Sequence, residues 1–186
     1  MERSNFITLS VIVSIIAGLG FYAYLVTQKN TQVTLDTSAA GTALGSEQGE
    51  FAYTDIEGNP IAISENLGKI LVVNSWASWC PACANELPDL AKLGDEYAEK
   101  NVVVLAINRA EPKTTAAAYL TSINAVDGLQ LVLDPNDKFY TSIDGFAMPE
   151  TLFYDPKGNV IFHQRGAMTY QEIKAQVDSL IQQTSR

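Results

Sequence analysis

The longest uninterrupted apolar stretch of the chain lies near its N-terminus. Residues 6–26 form 21 consecutive positions without a charged side chain. At the rise of an α-helix they span ~31 Å, which is enough to cross a hydrocarbon core. The pattern predicts one transmembrane anchor after a short flank at residues 1–5. A cleaved signal peptide is the alternative, although such leaders usually carry a shorter apolar core.

No apolar period continues through residues 27–49, which are rich in Thr, Ser, Gly, Ala and Gln. That composition is typical of a flexible linker. The chain therefore divides into the flank, the anchor, this linker and a folded domain at residues 50–186. Early in the domain, Gly58 and Pro60 belong to a turn sequence between two short apolar runs, which predicts a β-hairpin over residues 51–64.

Within the domain, short apolar runs alternate with segments of helical period. Strands are predicted at residues 70–73, 102–107, 129–133, 151–154 and 160–164. Helices are predicted from residue 80 to about residue 100, over 113–123, over 137–143 with the turn at residues 134–137 as its cap, and after a Thr169–Glu172 capping box. The first strand, helix and second strand form a right-handed parallel crossover, and a tight turn makes the last two strands antiparallel.

Cys80 and Cys83 are the only cysteines of the sequence, and they stand where the first of these strands gives way to a helix. A Cys-x-x-Cys motif in that context is typical of thiol–disulfide redox chemistry. Free N–H groups and the helix dipole at a helix N-terminus lower the pKa of a thiol such as Cys80, and the thiolate is the nucleophile. Pro81 suits the first helical position, which needs no N–H. Cys83 can then release a mixed disulfide.

Two other uses of the motif compete with redox chemistry. A structural zinc site usually takes four Cys or His ligands, and this chain has two Cys and one His, His163. An inert disulfide would close a very short loop and so add little stability. His163 lies in the last predicted strand, and we expect no catalytic part for it.

The sequence WASWCPAC at residues 76–83, with Asn74 before it and Glu86 after it, resembles the active site of thioredoxin-like proteins. The resemblance is closest to the membrane-anchored TlpA/ResA/CcmG group of extracytoplasmic thiol–disulfide oxidoreductases, and it covers roughly residue 50 to the C-terminus. It implies an α/β thioredoxin fold, a central mixed sheet flanked by helices, with an N-terminal β-hairpin extension. It also implies Cys80 as nucleophile, Cys83 as resolving thiol, and no cofactor beyond their redox-active disulfide.

The resemblance further assigns residues that meet the substrate. Pro149 stands where these folds place a cis-proline facing the cysteines, and Met148 would lend its backbone to an extended substrate segment. Many relatives carry a smaller residue than Met148 at that position. Trp79 and Pro81 flank Cys80 and are expected to contact substrate as well. Judged without the resemblance, Pro149 would be a trans proline at the start of an edge strand.

Glu86 is the candidate proton acceptor. Thioredoxin has a buried Asp two residues before its first active-site Trp, whereas this chain has Asn74 there, and an amide cannot accept the proton of Cys83. Glu86 lies three residues beyond Cys83 on the same helix face. Burial would raise its pKa toward the working range of a general base. The alternative is a solvated glutamate without a role.

The charge composition of the sequence limits the classes of molecule that the protein is expected to bind. The net charge of −9 and a sequence pI of about 4.5 disfavour nucleic acid, whose phosphates require a basic face. With the resemblance, we expect a protein-disulfide reductase that acts on exported proteins, with apocytochrome c as one candidate substrate. It would need a membrane electron donor, because the outer compartment is oxidising. We expect the domain to face that compartment from the cell membrane.

Two alternative functions differ in the residues they require. A thiol peroxidase of the peroxiredoxin pattern would carry Thr where this chain has Ala77. A copper-binding assembly factor of similar fold would carry two cysteines spaced by three residues and a nearby His. Copper binding by the reduced domain would separate the second alternative from a reductase.

Overall fold

The structure is a computed structural model, and it describes residues 53–184. The predicted anchor at residues 6–26 and the predicted linker at residues 27–49 lie outside this part of the chain and stay predictions. Of the helices between residues 53 and 184, none combines the length and hydropathy that a bilayer span requires.

Strands and helices alternate along most of the described chain. The strands are β1 (Tyr53–Thr54), β2 (Pro60–Ile61), β3 (Ile70–Trp76), β4 (Val102–Arg109), β5 (Gln130–Asp134), β6 (Glu150–Tyr154) and β7 (Val160–Arg165). The helices are α1 (Cys83–Tyr97), α2 (Lys113–Ser122), α3 (Lys138–Ser142) and α4 (Tyr170–Thr184). Two 3₁₀ turns, Ile63–Asn66 and Ala98–Lys100, connect them. The existence and order of the predicted elements are thereby confirmed.

All seven strands belong to one mixed sheet with the order β2-β1-β5-β4-β3-β6-β7. Strands β3, β4 and β5 are parallel, and β6 and β7 continue the sheet antiparallel on the other side of β3. The short β1–β2 hairpin pairs antiparallel with β5 and forms the opposite edge. The predicted mixed sheet and N-terminal hairpin extension are present.

Strand β3 lies between β4 and β6, and every one of its side chains is buried. Successive side chains of a strand point to opposite faces. Val72 accordingly packs with residues of α1 and α4, while Leu71 and Val73 pack with α3 and the hairpin. A sheet covered on both faces gives its central strand a continuous apolar run instead of an alternating one, which is why this strand could be read from the sequence.

Three predicted boundaries are wrong, each for a local reason. Strand β3 continues beyond residue 73 to Trp76, because pairing with β4 and β6 extends through the polar Asn74 and Ser75. Helix α1 begins at Cys83 and not at Cys80, and a hydrogen-bonded turn from Cys80 to Cys83 precedes it. Ile63 belongs to a 3₁₀ turn and not to the hairpin strand.

The predicted capping turn at residues 134–137 is confirmed, and Asp134 supplies the capping carboxylate. Asp137 has a left-handed backbone (φ 52°) and makes no side-chain capping bond. Instead the carboxylate of Asp134 accepts the N–H of Phe139 at 2.8 Å, and the carboxylate of Asp137 pairs with Arg109. The predicted capping box of α4 is confirmed, since Thr169 and Glu172 each accept the other's backbone N–H.

Helix α1 touches the loop before β5 through two glycines. A Cβ built on Gly94 would lie 1.5 Å from the carbonyl oxygen of Gly128. A Cβ on Gly128, whose φ is +74°, would lie 2.0 Å from the carbonyl oxygen of Ala91. Both positions require glycine, because the two backbones are in direct contact.

Candidate active site

Cys80 and Cys83 form a disulfide between the end of β3 and the start of α1. Their Cα atoms are 5.4 Å apart, a common separation for a bridged pair. Both residues are buried within a cluster that includes Trp76, Leu87 and Leu120. The turn between β3 and α1 thus brings the two sulfur atoms together, as the Cys-x-x-Cys spacing predicts.

The turn also provides the electrostatic environment for a thiolate. The backbone N–H of Cys83 donates to the Sγ of Cys80 at 3.2 Å, so this sulfur accepts one of the N–H groups that the first turn of α1 leaves without a helical partner. In the reduced protein the same N–H and the positive end of α1 would stabilise a negative charge on Cys80. Pro81, which has no N–H to leave unsatisfied, lies exposed within this turn.

A cis-proline follows a residue that packs near this pair. The Met148–Pro149 peptide bond is cis, as the resemblance implies. Met148 is half-buried and packs against the cluster that contains Cys80 and Cys83. The carbonyl oxygen of Pro149 accepts the N–H of Gly166 at 2.9 Å, which ties this loop to the end of β7. The structure therefore brings Met148, the residue before Pro149, to the cluster that contains the disulfide, although Met148 is distant from the cysteines in sequence.

Two large aromatic side chains stand exposed on the loops of the site. Trp79, next to Cys80, is 62% exposed, and Phe146, three residues before Pro149, is 76% exposed. Exposed aromatic residues near a reactive group are candidates for contact with a protein substrate. Trp79 was predicted for this role and Phe146 was missed, because a lone aromatic residue in a loop gives no periodic signal.

Glu86 is buried, with 0% of its surface exposed. Its carboxylate accepts the hydroxyl of Thr151 at 2.9 Å, the amide of Asn74 at 3.4 Å and the backbone N–H of Met168. Burial raises the pKa of Glu86 to about 7, because these neutral donors only partly offset the cost of removing the charge from water. The residue lies one turn beyond Cys83 on α1, and its catalytic role stays a prediction.

Thr151 and Asn74 link this carboxylate to the sheet. They are directly opposite each other on β6 and β3, and the Asn74 amide donates to the Thr151 hydroxyl at 2.8 Å. The Oδ1 atom of Asn74 is buried, and the described residues offer it no hydrogen-bond donor. The amide thus serves as a donor to Glu86, and it accepts nothing within this part of the chain.

Glu150 is a second buried carboxylate, and the sequence analysis missed it. Its Oε1 accepts the backbone N–H groups of Phe146 and Ala147 at 2.7 and 2.9 Å. Its Oε2 lies 2.7 Å from the Nε2 of His163 and 3.7 Å from the Nε of Arg165. Glu150 therefore fixes the backbone of the loop before Pro149. An acidic residue at the start of a buried strand was the available signal.

Glu111 supports the other loop of the site and was also missed. It accepts the backbone N–H and the hydroxyl of Ser78 at 2.8 and 2.5 Å, and the amide of Asn108 at 2.7 Å. Burial alone would raise the pKa of Glu111, but the hydrogen bonds from Ser78 and Asn108 outweigh it and lower the pKa. The segment before Cys80 is thereby fixed to the end of β4.

No group of three or more His, Cys, Asp or Glu side chains with the arrangement of a metal site occurs within residues 53–184. The Nε2 of His163, the only histidine of the sequence, lies 2.7 Å from the Oε2 of Glu150.

Comparison with known proteins agrees with this geometry. The sequence profile of the AhpC/TSA family matches residues 44–163. The thiol-disulfide oxidoreductase ResA of Geobacillus kaustophilus is 25% identical over 171 residues, covering 92% of each chain. ResA of Bacillus subtilis is 25% identical over 168 residues, covering 90% of this chain and 88% of its own.

Solved structures share the fold. A protein described as thiol:disulfide interchange protein DsbE, from Chlorobium tepidum, has a TM-score of 0.67 at 19% identity, covering 76% of this chain and 97% of its own. StoA from Bacillus subtilis has a TM-score of 0.57 at 23% identity, covering 67% and 93%. The fold is therefore thioredoxin-like, and the family profile, which matches well over half of the chain, shows that the chain belongs to the AhpC/TSA family.

Proposed function

We propose that this protein is a thiol–disulfide oxidoreductase that reduces disulfides of exported proteins through Cys80 and Cys83. The observation that carries the proposal is the disulfide at the start of α1, where the Cys83 N–H reaches the Cys80 sulfur at 3.2 Å and the cluster around the pair packs against Met148 of the cis Met148–Pro149 bond. The relatives named as thiol-disulfide oxidoreductases support the same chemistry.

In the first step, the thiolate of the reduced Cys80 attacks one sulfur of a substrate disulfide. A sulfur–sulfur bond forms to Cys80, the substrate's own disulfide breaks, and its second sulfur leaves as a thiolate that takes a proton from water. The Cys83 N–H and the N-terminus of α1 stabilise the attacking thiolate. The exposed Trp79 and Phe146 offer apolar surface to the substrate chain around the disulfide.

In the second step, Cys83 must lose its proton and attack Cys80. We assign Glu86 as the acceptor of that proton, because it lies one turn along α1 and its pKa, raised to about 7 by burial, is close to neutral pH. Attack by Cys83 releases the substrate as a dithiol and leaves the Cys80–Cys83 disulfide seen in the structure. Two electrons have then moved to the substrate. A second dithiol, the electron donor, must reduce the Cys80–Cys83 disulfide before the next cycle.

The central test is the reduction of insulin by the full chain with dithiothreitol as electron source. Wild type accelerates the reaction, and Cys80→Ser abolishes the acceleration. Cys83→Ser forms a covalent adduct with the substrate that mass spectrometry detects, because Cys80 attacks and nothing releases it. Insulin reduction by Cys80→Ser at the wild-type rate would refute the proposal.

The direction of electron flow is a separate part of the proposal. A reductase requires a Cys80–Cys83 reduction potential more negative than about −200 mV, so that it can reduce substrates in an oxidising compartment. Equilibration with glutathione and its disulfide, followed by alkylation of free thiols, measures the potential. A value near that of a strong oxidant such as DsbA, about −120 mV, would favour an oxidase instead.

We further propose that residues 6–26 anchor the domain to the cell membrane with the catalytic face outside, where a membrane electron donor reduces it. The uncharged 21-residue stretch supports the anchor, and the alignment with ResA of Geobacillus kaustophilus, at 92% of this chain, extends well beyond residues 53–184 toward the N-terminus. A membrane-impermeant maleimide applied to intact cells should label Cys80 and Cys83 after reduction. Labelling only after lysis would refute the orientation.

Apocytochrome c is the proposed substrate class among exported proteins, following the sequence resemblance. A disulfide-bonded Cys-x-x-Cys-His peptide should be reduced faster than oxidised glutathione, and equal rates would remove this preference. Hydrogen peroxide consumption faster than disulfide reduction would favour the peroxidase alternative. Tight stoichiometric Cu(I) binding by the reduced domain would favour the copper alternative.

A further inference from the structure

Arg109 lies at the C-terminal end of β4 and reaches the loop that carries the cis-proline. Its Nε donates to the Oδ1 of Asp137 at 2.7 Å, and its Nη2 pairs with the Oδ2 of the same carboxylate. Its Nη1 lies 2.7 Å from the Sδ of Met148 and donates to it. The carbon at the centre of the guanidinium lies 3.4 Å from the centroid of the Tyr140 ring.

These contacts fix the plane of the guanidinium. A bidentate pair with a carboxylate allows one orientation of the fork, and a ring stacked below it removes the remaining freedom. The Arg109 side chain is only 16% exposed. The group that meets the Met148 sulfur is therefore a rigid cation and not a mobile surface side chain.

Met148 depends on such support. Methionine is unbranched, rotates freely about three bonds and adapts to its surroundings. Here its side chain packs against the cluster with Cys80 and Cys83 on one side and meets Arg109 on the other. The backbone is held as well, because the Tyr140 hydroxyl donates to the Ala147 carbonyl oxygen at 3.3 Å. A flexible residue is thus held in one position against the cluster that contains the disulfide.

We propose that Arg109 is a positioning residue that holds the Met148 thioether as a fixed wall beside the Cys80–Cys83 disulfide, and so limits the size of the substrate side chain next to the reacting cysteine. The inference rests on the proposed disulfide exchange and adds to it a substrate class: extended segments with a small residue at that position. A held Met148 excludes a bulky neighbour, whereas a released Met148 rotates away and admits it.

The test uses two disulfide-bonded peptides that differ only in having Ala or Phe beside the reacting cysteine. We expect wild type to prefer the Ala peptide by about tenfold in kcat/KM, a size that steric selection in a pocket commonly gives. Arg109→Gln should reduce this preference to about threefold or less, through a better KM for the Phe peptide. Lys113→Gln, an exposed residue of the same charge, should leave the preference unchanged.

A double-mutant cycle separates positioning from a general structural effect. Met148→Leu removes the sulfur acceptor, so adding Arg109→Gln to it should change the preference no further. The inference would be overturned if the two substitutions changed the peptide preference by independent factors that multiply in the double mutant. An unchanged preference in Arg109→Gln would overturn it as well. Should Arg109→Gln fail to fold, Arg109→Lys serves in its place. Its point charge cannot hold Asp137 and Met148 together, and it too should lower the preference.

The small aromatic disulfide 5,5′-dithiobis(2-nitrobenzoate), DTNB, distinguishes the two possible failures. It presents no neighbouring side chain, so wild type and Arg109→Gln should react with it at the same rate. If reduced wild type reacted with neither peptide nor with DTNB, the proposed function itself would fail and the inference with it. If wild type reduced both peptides and Arg109→Gln left their ratio unchanged, the inference alone would fail.

Discussion

Glu86 and Glu150 are both fully buried carboxylates of the same site, one after Cys83 on α1 and the other after Pro149 on β6. They differ in the groups around them. Glu86 is surrounded by neutral donors, the hydroxyl of Thr151, the amide of Asn74 and one backbone N–H. Glu150 accepts two backbone N–H groups and also faces the side chains of His163 and Arg165.

The comparison shows that burial alone does not decide what a carboxylate does. Neutral donors satisfy the hydrogen-bonding capacity of Glu86 without compensating its charge, so its pKa rises to about 7 and it can exchange a proton near neutral pH. The side chains of Arg165 and His163 and two backbone N–H groups hold Glu150, which in turn fixes the loop that carries Met148. One carboxylate is suited to proton transfer and the other to holding a backbone in place.

The largest expected effect is on stability. The pKa of Glu86 rises from 4.5 to about 7 on folding, so the folded state binds a proton that the unfolded state releases. This stabilisation is complete below pH 4.5 and is lost as the pH rises through 7, a change of about 3 kcal/mol. In Glu86→Gln, the free energy of unfolding should not show this decrease with pH. Denaturant unfolding of the oxidised proteins at pH 4.5 to 8 measures it, with the disulfide intact so that no thiol titrates.

The control for this measurement is Glu99→Gln, an exposed glutamate beyond the end of α1. It should follow the wild-type pH dependence, because Glu86 is intact in this variant. Parallel curves for wild type and Glu86→Gln would show that Glu86 is not the proton-binding carboxylate of the pair.

The second effect is on the release of a mixed disulfide. Reduced protein mixed with DTNB should release one thiolate when Cys80 attacks and a second when Cys83 does. At pH 7, Glu86→Gln should slow the second release about 100-fold, the size of a typical general-base contribution, and leave the first nearly unchanged. Stopped-flow absorbance resolves the two phases.

The same experiment on Glu150→Gln sharpens the comparison. Its second release should keep the wild-type pH dependence, with an inflection near pH 7, because Glu86 is intact. Loss of that inflection in Glu150→Gln, or its persistence in Glu86→Gln, would reverse the roles assigned to the two carboxylates.

The smallest effect concerns Glu150 and the loop that it holds. Glu150→Gln keeps an oxygen for the two backbone N–H groups but loses the charge that faces His163 and Arg165. We expect a loss of about 1–2 kcal/mol in the free energy of unfolding, modest because those partners are partly exposed. Amide hydrogen exchange at Phe146 and Ala147 should accelerate more than exchange in α4. Uniform acceleration would indicate general destabilisation and no specific hold on the loop.

The sequence predicted most of what depends on local pattern. The Cys-x-x-Cys chemistry follows from spacing, and the position of Pro149 follows from the resemblance. The extension of β3 through Asn74 could not be predicted, because two polar residues in succession read as a break unless the neighbouring strands are known. The pairing of Glu150 with Arg165 depends on the register of β6 with β7, and the contact of Arg109 with Met148 joins residues 39 positions apart. Such contacts exist only in the folded chain.

The backbone contact between Gly94 and Gly128 fixes the position of α1 against the loop before β5. Gly94 lies about 16 Å along the helix axis from Cys83, and both belong to the same helix. A methyl group at Gly94 would have to push against the backbone of Gly128, since no side chain stands between them to give way. A shift of α1 at Gly94 would strain the helix that begins with Cys83. The placement of Cys83 therefore depends in part on a backbone contact that is remote from the disulfide.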